Sequence, residues 1–200
     1  MIVLSSGHTY PAVAWYVSWS MRGYRGWDHE TYRQWLYYGV SPGFGYVAEY
    51  GFGHEWWNFY EGFSDEYYYG YAPPVHAMKP VRFMDGGVIF FVSRQPRSGS
   101  WCLVGVYGCA EILQEPWDPG VTLWDLVPEE CRREITGRTR EALADKLWLW
   151  LRARKEYSTP MPVPMPLSLP DDVGISRFGR AAFKYIDDAE RPKALLCKAI

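Results

Sequence analysis

The first clear pattern along the chain is an alternation of apolar and polar positions near the N-terminus. The segment V-A-W-Y-V-S-W, from Val13 to Trp19, has a period of two. It predicts a half-buried strand whose apolar face carries Val13, Trp15, Val17 and Trp19. A helix is predicted next, over residues 29–38, because Asp28 can cap its start and Gly39 can adopt the left-handed conformation that ends a helix.

Two further apolar runs predict a β-hairpin. Gly87–Ser93 and Trp101–Ala110 are rich in β-branched and aromatic residues, and the segment R-Q-P-R-S-G-S between them is typical of a turn. Gly105 and Gly108 lie inside the second strand. They indicate a bulge, a bend, or the close approach of another backbone.

A long segment without a clear period separates the first strand from this hairpin. Between Phe44 and Tyr71 there are 13 aromatic residues in 28, interspersed with glycines, and Pro73 and Pro74 follow. We call residues 41–74 the aromatic excursion. Long irregular segments inside a compact domain are usually functional or disordered, and the many rings favour an ordered segment with short helical turns.

The second half of the chain predicts further short elements. Helices are expected from Pro128 and Glu129 and over residues 139–146, and the alternation over 147–153 favours a strand. The proline-rich stretch 159–170 should lie extended on the surface, packing Met161, Met165 and Leu167 inward. A short run at 182–186 and a helix over 188–198 end the chain. The element order predicts one α+β domain over residues 1–200, built around a small, curved, partly closed barrel with flanking helices.

Composition narrows the class of protein. The chain is 48% hydrophobic and 22% charged, which excludes a disordered or collagen-like polypeptide, and its net charge of −2 gives no whole-chain argument for a polyanionic partner. The unusual feature is the 18% of aromatic residues, 11 of them Trp. Neither a secretory signal nor a membrane-spanning stretch is evident, so we expect a cytoplasmic protein. The four cysteines match no zinc pattern, and we interpret them as buried free thiols.

The hairpin also carries a resemblance to a known family. The segments F-M-D-G-G-V-I-F-F-V-S-R (Phe83 to Arg94) and L-V-G-V-Y-G-C-A-E-I (Leu103 to Ile112) are similar to the core hairpin of PUA-like domains of the EVE and YTH type. Such domains also occur as N-terminal specificity modules of McrB-like modification-dependent restriction systems. Two departures are the turn at Asp85, Gly86 and Gly87, where the family has Gly-Asp, and the length of the excursion.

The resemblance implies a non-catalytic module that recognises a modified, methylated base, flipped into an aromatic cleft beside the curved sheet. Stacking between a base and an aromatic ring contributes about 1 to 3 kcal/mol, so the rings can supply the affinity. Trp19 is the first candidate, and Trp56 or Trp57 could stack while the Asn58 amide reads the base edge. Ser18, Ser20 and Asp85 are further candidates for the base edge. Each of these residues also has a plain structural interpretation, as core packing or turn formation.

Phosphates would be bound by arginine, whose planar group can bond two oxygens at once. The candidates follow the first strand, lie in the hairpin turn, or precede the last strand: Arg22, Arg25, Arg94, Arg97, Arg177 and Arg180. The expected partner is nucleic acid, with DNA favoured over RNA, and any ATPase and nuclease would belong to other chains or domains.

Other function classes remain open at this stage. Motifs for a nucleophilic serine, a zinc peptidase or a P-loop are lacking, so we expect no enzyme, no cofactor and no metal. The Tyr and Trp residues could instead form an assembly surface for a partner protein. A carbohydrate-binding groove is a third interpretation, because aromatic rings also stack on sugars.

Overall fold

The computed structural model describes residues 2–3, 9–20, 22–27, 44–83, 85–179 and 182–199. The predicted helix over 29–38, with its cap at Asp28 and its end at Gly39, lies outside the described residues, as does Arg180. A two-stranded ribbon pairs β1 (Ile2–Val3) with β2 (Thr9–Tyr10).

A seven-stranded sheet forms the centre of the fold. Its strands are β3 (Ala12–Tyr16), β4 (Tyr67–Gly70), β5 (Gly87–Arg94), β6 (Trp101–Trp117), β7 (Leu149–Arg154), β8 (Ser158–Leu167) and β9 (Phe183–Tyr185). The order is β4-β7-β6-β5-β3-β9, with β8 also paired to β6. Every pairing is antiparallel except that of β3 with β5. Within the described residues β4 and β9 do not pair with each other, so the sheet is open. The predicted mixed α and β class is confirmed at this level.

Five helices accompany the sheet in the described part of the chain. They are α1 (Gly45–Tyr50), α2 (Leu123–Leu126), α3 (Glu129–Arg132), α4 (Gly137–Ala144) and α5 (Glu190–Ala199). Short 3-10 turns cover His54–Trp57, Glu61–Phe63 and Lys155–Tyr157, and a π-helical turn covers Leu169–Val173. None of the helices described is long and apolar enough to cross a membrane.

Alternation in β3 divides the interior into two hydrophobic cores. Val13, Trp15 and Val17 face the larger core, which the excursion and the segments carrying α1 to α4 help to fill. Ala12 and Ala14 face the smaller core, built with β8, the π-helical turn and α5. The sheet is therefore covered on both faces, which explains why β5 is a continuous apolar run.

The predicted hairpin is confirmed as β5 and β6. Gly105 lies opposite Phe91, and a Cβ at Gly105 would stand 2.5 Å from Cζ of the buried Phe59. At Gly108 a Cβ would collide with the backbone oxygen of Tyr157. Both glycines thus mark the close approach that the sequence indicated.

Other sequence expectations are met in part. The strand expected over 147–153 is β7, and the proline-rich stretch is extended, but it joins the sheet as β8 rather than only lying on the surface. Its pairing with β6 is interrupted between Leu103 and Gly105, where residues 161–164 form a bulge. Cys102 and Cys131 are buried free thiols, whereas Cys109 and Cys197 are exposed, so burial was predicted wrongly for the latter two.

The aromatic excursion is more regular than predicted. It contains α1 and two 3-10 turns, and it ends in β4, a strand that the prediction missed. In β4 the side chain of Tyr68 is buried whereas Tyr67 and Tyr69 are partly exposed. The available sequence signal for this strand was the run of three consecutive tyrosines, a residue type enriched in strands.

Candidate functional site

The parallel pairing of β3 with β5 brings the loops after both strands to one edge of the sheet. Val17 N donates to Val92 O at 2.9 Å, and the Ser93 hydroxyl donates to Val17 O at 2.8 Å. Residues 18–20 and 22–27, which follow β3, and the hairpin turn 95–100, which follows β5, consequently share this edge. We call it the Trp19 edge.

A small pocket of about 130 Å³ opens beside Trp19. The Trp19 side chain is half-buried, and the bulge of β8 supplies the opposite wall. The lining residues are Trp19, Ser20, Gly23, Tyr24, Val104, Met161, Pro162 and Pro164. An indole, a thioether and two prolines make this an apolar pocket with one accessible ring.

Ser18 lies beneath the pocket and is fully buried. Its backbone N donates to Glu55 Oε1 at 2.8 Å, and its Oγ accepts from Nε1 of Trp56 at 2.9 Å. Its carbonyl accepts from the hydroxyl of Tyr24 at 2.8 Å. Burial raises the pKa of the Glu55 carboxyl, although the hydrogen bonds from Ser18 oppose that shift. Ser18 therefore anchors the loop that follows β3. The sequence predicted that it would present a polar group to a base, and it does not.

Ser20 lines the pocket but is also engaged locally. Its Oγ accepts from the backbone N of Arg22 at 3.3 Å and from that of Tyr24 at 3.2 Å. These contacts shape the loop that follows Trp19. The hydroxyl of Ser20 is the one predicted hydrogen-bonding group that the structure brings to the pocket wall.

The prediction that Trp56 or Trp57 stacks on a base is wrong. Trp56 is 2% exposed and Trp57 is 0% exposed, so neither offers a face to a ligand. Trp27 packs edge-on against both indoles, with ring centroids 6.0 and 6.2 Å away. The aromatic rings of this part of the excursion pack together as a core and do not form an open cage.

Asn58 and Asp85 are also misplaced for reading a base. Asn58 is buried, and its amide donates to Tyr71 O at 2.9 Å and accepts from Tyr71 N at 2.8 Å, so it ties two parts of the excursion together. Asp85 precedes β5 and lies at the opposite end of that strand from the Trp19 edge. Neither residue therefore lies where it could contact the edge of a base held at Trp19.

Most of the predicted phosphate-binding arginines gather near the Trp19 edge. Arg22 follows Trp19, and Arg94 and Arg97 end β5 and occupy the hairpin turn. Arg177 precedes Phe178, whose ring lies 5.5 Å from Tyr16 and 5.4 Å from Trp101, both at this edge. All of these guanidinium-bearing residues are exposed.

Of the two remaining arginines, Arg25 acts on a carboxylate of the aromatic excursion. Arg25 lies in the same loop as Trp19 and is exposed, but its charge acts on Glu61, where it helps to lower the carboxyl pKa after hydrogen bonds from Lys155 and Tyr68. Arg180 falls outside the described residues.

Sequence reasoning missed a second, larger cavity of about 690 Å³. We call it the aromatic cavity. It is built by the segment around α1, the turn at residues 54–55, the end of the excursion and the strand region 146–150. Its lining residues are Phe44, Gly45, Tyr46, Val47, His54, Glu55, Tyr71, Pro73, Pro74, His76, Pro116, Lys146, Trp148 and Trp150. The available signal was the alternation of Trp148 and Trp150 with buried leucines, which points these indoles away from Leu149 and Leu151.

Two histidine–tyrosine pairs lie in the aromatic cavity. Nε2 of His54 and the hydroxyl of Tyr46 are joined by a hydrogen bond of 2.9 Å, as are Nδ1 of His76 and the hydroxyl of Tyr71. Burial lowers the pKa of His54 to about 4, so its imidazole is neutral at pH 7. Over the part of the chain that is described, no group of three potential metal ligands occurs.

Two ammonium groups lie over the indoles of the aromatic cavity. Nζ of Lys146 stands 4.2 Å from the ring centroid of Trp148 and also pairs with Asp118 at 2.7 Å. Nζ of Lys79 stands 4.6 Å from the ring centroid of Trp150. Each of the two rings is thus already engaged by a cation on one face.

Searches of protein-family models, of curated proteins and of solved structures found no match to this chain.

Proposed function

We propose that this chain is a non-catalytic nucleic-acid-binding module of the PUA-like class, and that it holds a modified, methylated base against Trp19. The observation that carries the proposal is the meeting of an apolar pocket with exposed arginines at one edge of the sheet. In this proposal the bent sheet corresponds to the partly closed barrel of that class. The target is DNA in preference to RNA, and ATPase and nuclease activities reside on other chains or domains.

The size of the Trp19 pocket supports recognition of part of a base. Its volume of about 130 Å³ is well below the roughly 300 Å³ at which pockets for whole small ligands begin. It suits a methyl group or one edge of a ring, with Met161 and the two prolines as the opposing wall. Burying one methyl contributes about 0.8 kcal/mol, or about a fourfold preference for the modified base.

The arginines support a polyanionic ligand. Arg22, Arg94 and Arg177 are exposed and lie on three different segments at the Trp19 edge. In this proposal a strand whose base enters the pocket passes near them. Each phosphate that an arginine neutralises releases counterions. Replacing one such arginine by Ala should therefore reduce the slope of log affinity against log salt by about 0.7 to 0.9.

The experiment is a fluorescence-anisotropy titration of methylated and unmodified oligonucleotides over a salt series. We expect tighter binding of the methylated probe and affinity that falls as salt is added. Trp19→Ala should weaken binding by about 5- to 150-fold, because stacking contributes about 1 to 3 kcal/mol, and Trp19→Phe should lose less. Tyr157→Ala is the matched control, since Tyr157 is exposed and lines neither cavity. Unchanged affinity in Trp19→Ala, or no oligonucleotide binding at all, refutes the proposal.

A second candidate function is the binding of a partner protein, and one observation favours it. The bulge of β8 presents Val163, which is 79% exposed, between two prolines. In this second function a partner protein would cover the tip, which also carries Pro162 and Pro164 of the Trp19 pocket. Light scattering across concentration, with Val163→Ser as the variant, measures self-association, and a Val163-dependent complex without oligonucleotide binding favours this second function.

A further inference from the structure

We propose that the aromatic cavity is a second binding site, which takes a neutral, planar aromatic ring system of about purine size. The inference does not depend on the proposed function of the Trp19 edge, because the two cavities share no lining residue. It concerns a concave surface to which Tyr46, Tyr71, Trp148 and Trp150 contribute rings.

The volume and the lining of the cavity fit a small molecule. Its volume of about 690 Å³ lies inside the range of roughly 300 to 1,000 Å³ found for ligand sites. Rings from separate parts of the chain line it, namely Tyr46 from α1, Tyr71 from the end of the excursion and Trp148 from the segment before β7. Tyr46 is 40% exposed and Trp148 is 41% exposed, so both present ring surface at its rim.

The charges around the cavity argue against an anion. Lys146 is the cationic residue of the lining, and its ammonium already pairs with Asp118. His54 is neutral at pH 7, because burial lowers its pKa to about 4. Burial of Glu55 places a carboxyl in the wall, which disfavours a second negative group. A carboxylate or phosphate would lose its hydration here without a dedicated counter-charge.

The lysines also argue against a cation. Aromatic cages that bind ammonium groups do so by placing the cation over ring faces. Here Lys146 and Lys79 already occupy that position over Trp148 and Trp150, at 4.2 and 4.6 Å. A cationic ligand would find those ring faces occupied, whereas a neutral ring can stack on the indole and tyrosine surfaces that remain.

The polar groups of the lining suit a neutral heterocycle. The imidazole of His54 and the hydroxyl of Tyr46 are joined to each other, and so are His76 and Tyr71. Each pair retains hydrogen-bonding capacity for a ring nitrogen or an exocyclic amino group. Such a ring can come from a free heterocyclic molecule or from a nucleotide of a bound strand, and the experiment separates these two sources.

The test uses the full chain and three probes that each carry an aromatic ring: adenosine, which is neutral, phenyltrimethylammonium, a cation, and benzoate, an anion. Two-dimensional NMR of the indole N–H groups, assigned with Trp→Phe variants, follows each titration. We expect adenosine to shift the Trp148 and Trp150 signals saturably, in the millimolar range or tighter. The cation and the anion should bind at least about tenfold more weakly. Equal or tighter binding of either charged probe, or non-saturable shifts, overturns the proposal.

Variants make the test specific. Trp148→Ala and Tyr46→Ala should each weaken adenosine binding at least about fivefold, and both residues are exposed enough for the fold to tolerate the change. Trp19→Ala should leave adenosine binding unaltered, so failure here is distinguishable from failure of the Trp19 proposal. Lys146→Met should improve binding of phenyltrimethylammonium relative to adenosine. If neither cavity variant alters adenosine binding, the site is wrong.

A separate titration with an oligonucleotide distinguishes the two sources of the ring. An oligonucleotide that shifts the Trp148 signal, and whose affinity falls in Trp148→Ala, identifies the ligand as a nucleotide of the strand. An oligonucleotide that shifts the indole N–H signal of Trp19 but not that of Trp148 identifies a free molecule as the ligand of the aromatic cavity. Both results support a neutral aromatic ligand, provided that adenosine binds as expected.

Discussion

Replacing Ser18 by Ala tests whether the hydrogen bonds beneath the Trp19 pocket hold that edge of the sheet together. The Ser18 hydroxyl accepts from Nε1 of Trp56 at 2.9 Å, and both residues are buried. Its removal leaves the indole N–H without this partner, out of reach of bulk water. An unsatisfied buried donor costs about 1 to 3 kcal/mol, so we expect the free energy of unfolding to fall by that amount.

The assay is urea denaturation followed by circular dichroism, combined with a double-mutant cycle. In a Trp56→Phe background there is no N–H to leave unpaired, so Ser18→Ala should cost about 1 to 2 kcal/mol less than in the wild type. Ser98→Ala, at an exposed hydroxyl, serves as the control and should change stability by less than about 0.5 kcal/mol. Equal costs of Ser18→Ala in the two backgrounds would refute the assignment.

The same variant has a pH signature through Glu55. Burial raises the pKa of this carboxyl in the folded state, so its proton favours folding below the ordinary value of 4.5 and that contribution is lost as pH rises. Ser18→Ala removes a hydrogen bond to the ionised carboxylate and should raise the folded-state pKa further. The destabilisation should therefore be larger at pH 7 than at pH 4. A cost that is larger at pH 4 contradicts this reasoning.

Two further predictions concern packing and pH. Gly105→Ala should destabilise the protein by about 1 to 3 kcal/mol, because the new Cβ would press on the buried Phe59. A Cβ at Gly45 would have nothing within 4 Å, so Gly45→Ala should leave stability unchanged or raise it by up to about 1 kcal/mol. Urea denaturation of the two variants compares their free energies of unfolding. For His54, whose folded-state pKa of about 4 lies below the usual 6.5, stability should be lost as pH falls from about 6.5 to 4. Thermal unfolding across that range should show a smaller loss in His54→Gln, and an equal loss contradicts the assignment.

Local patterns predicted the elements that depend on neighbours in sequence. The hairpin of β5 and β6 joins two consecutive apolar runs through a turn containing Pro96 and Gly99, so its register needs no distant partner. The alternation around Leu149 similarly identified β7. The strand β4 also had a local signal, its consecutive tyrosines, but this signal was hard to recognise among the many aromatic residues of the excursion.

The site was harder to predict because burial is decided by distant contacts. Trp19 and Trp56 look alike in the sequence, yet Trp56 packs against Trp27 and bonds Ser18, whereas Trp19 remains half-buried at a pocket wall. The role of Asp85 depended on which end of β5 lies beside Trp19, and that followed from the parallel pairing with β3. No local pattern contains this information.

The pairing of β3 with β5 also has a consequence for the order in which the molecule is assembled. The Trp19 pocket is lined by Trp19, Ser20, Gly23 and Tyr24, by Val104, and by Met161, Pro162 and Pro164, so it cannot exist until β8 has left the ribosome. The hairpin of β5 and β6 closes a short loop, whereas the parallel pair must first overcome the entropy of closing residues 17–86. During synthesis, the Trp19 pocket therefore forms only after every segment from β3 to β8 has been made.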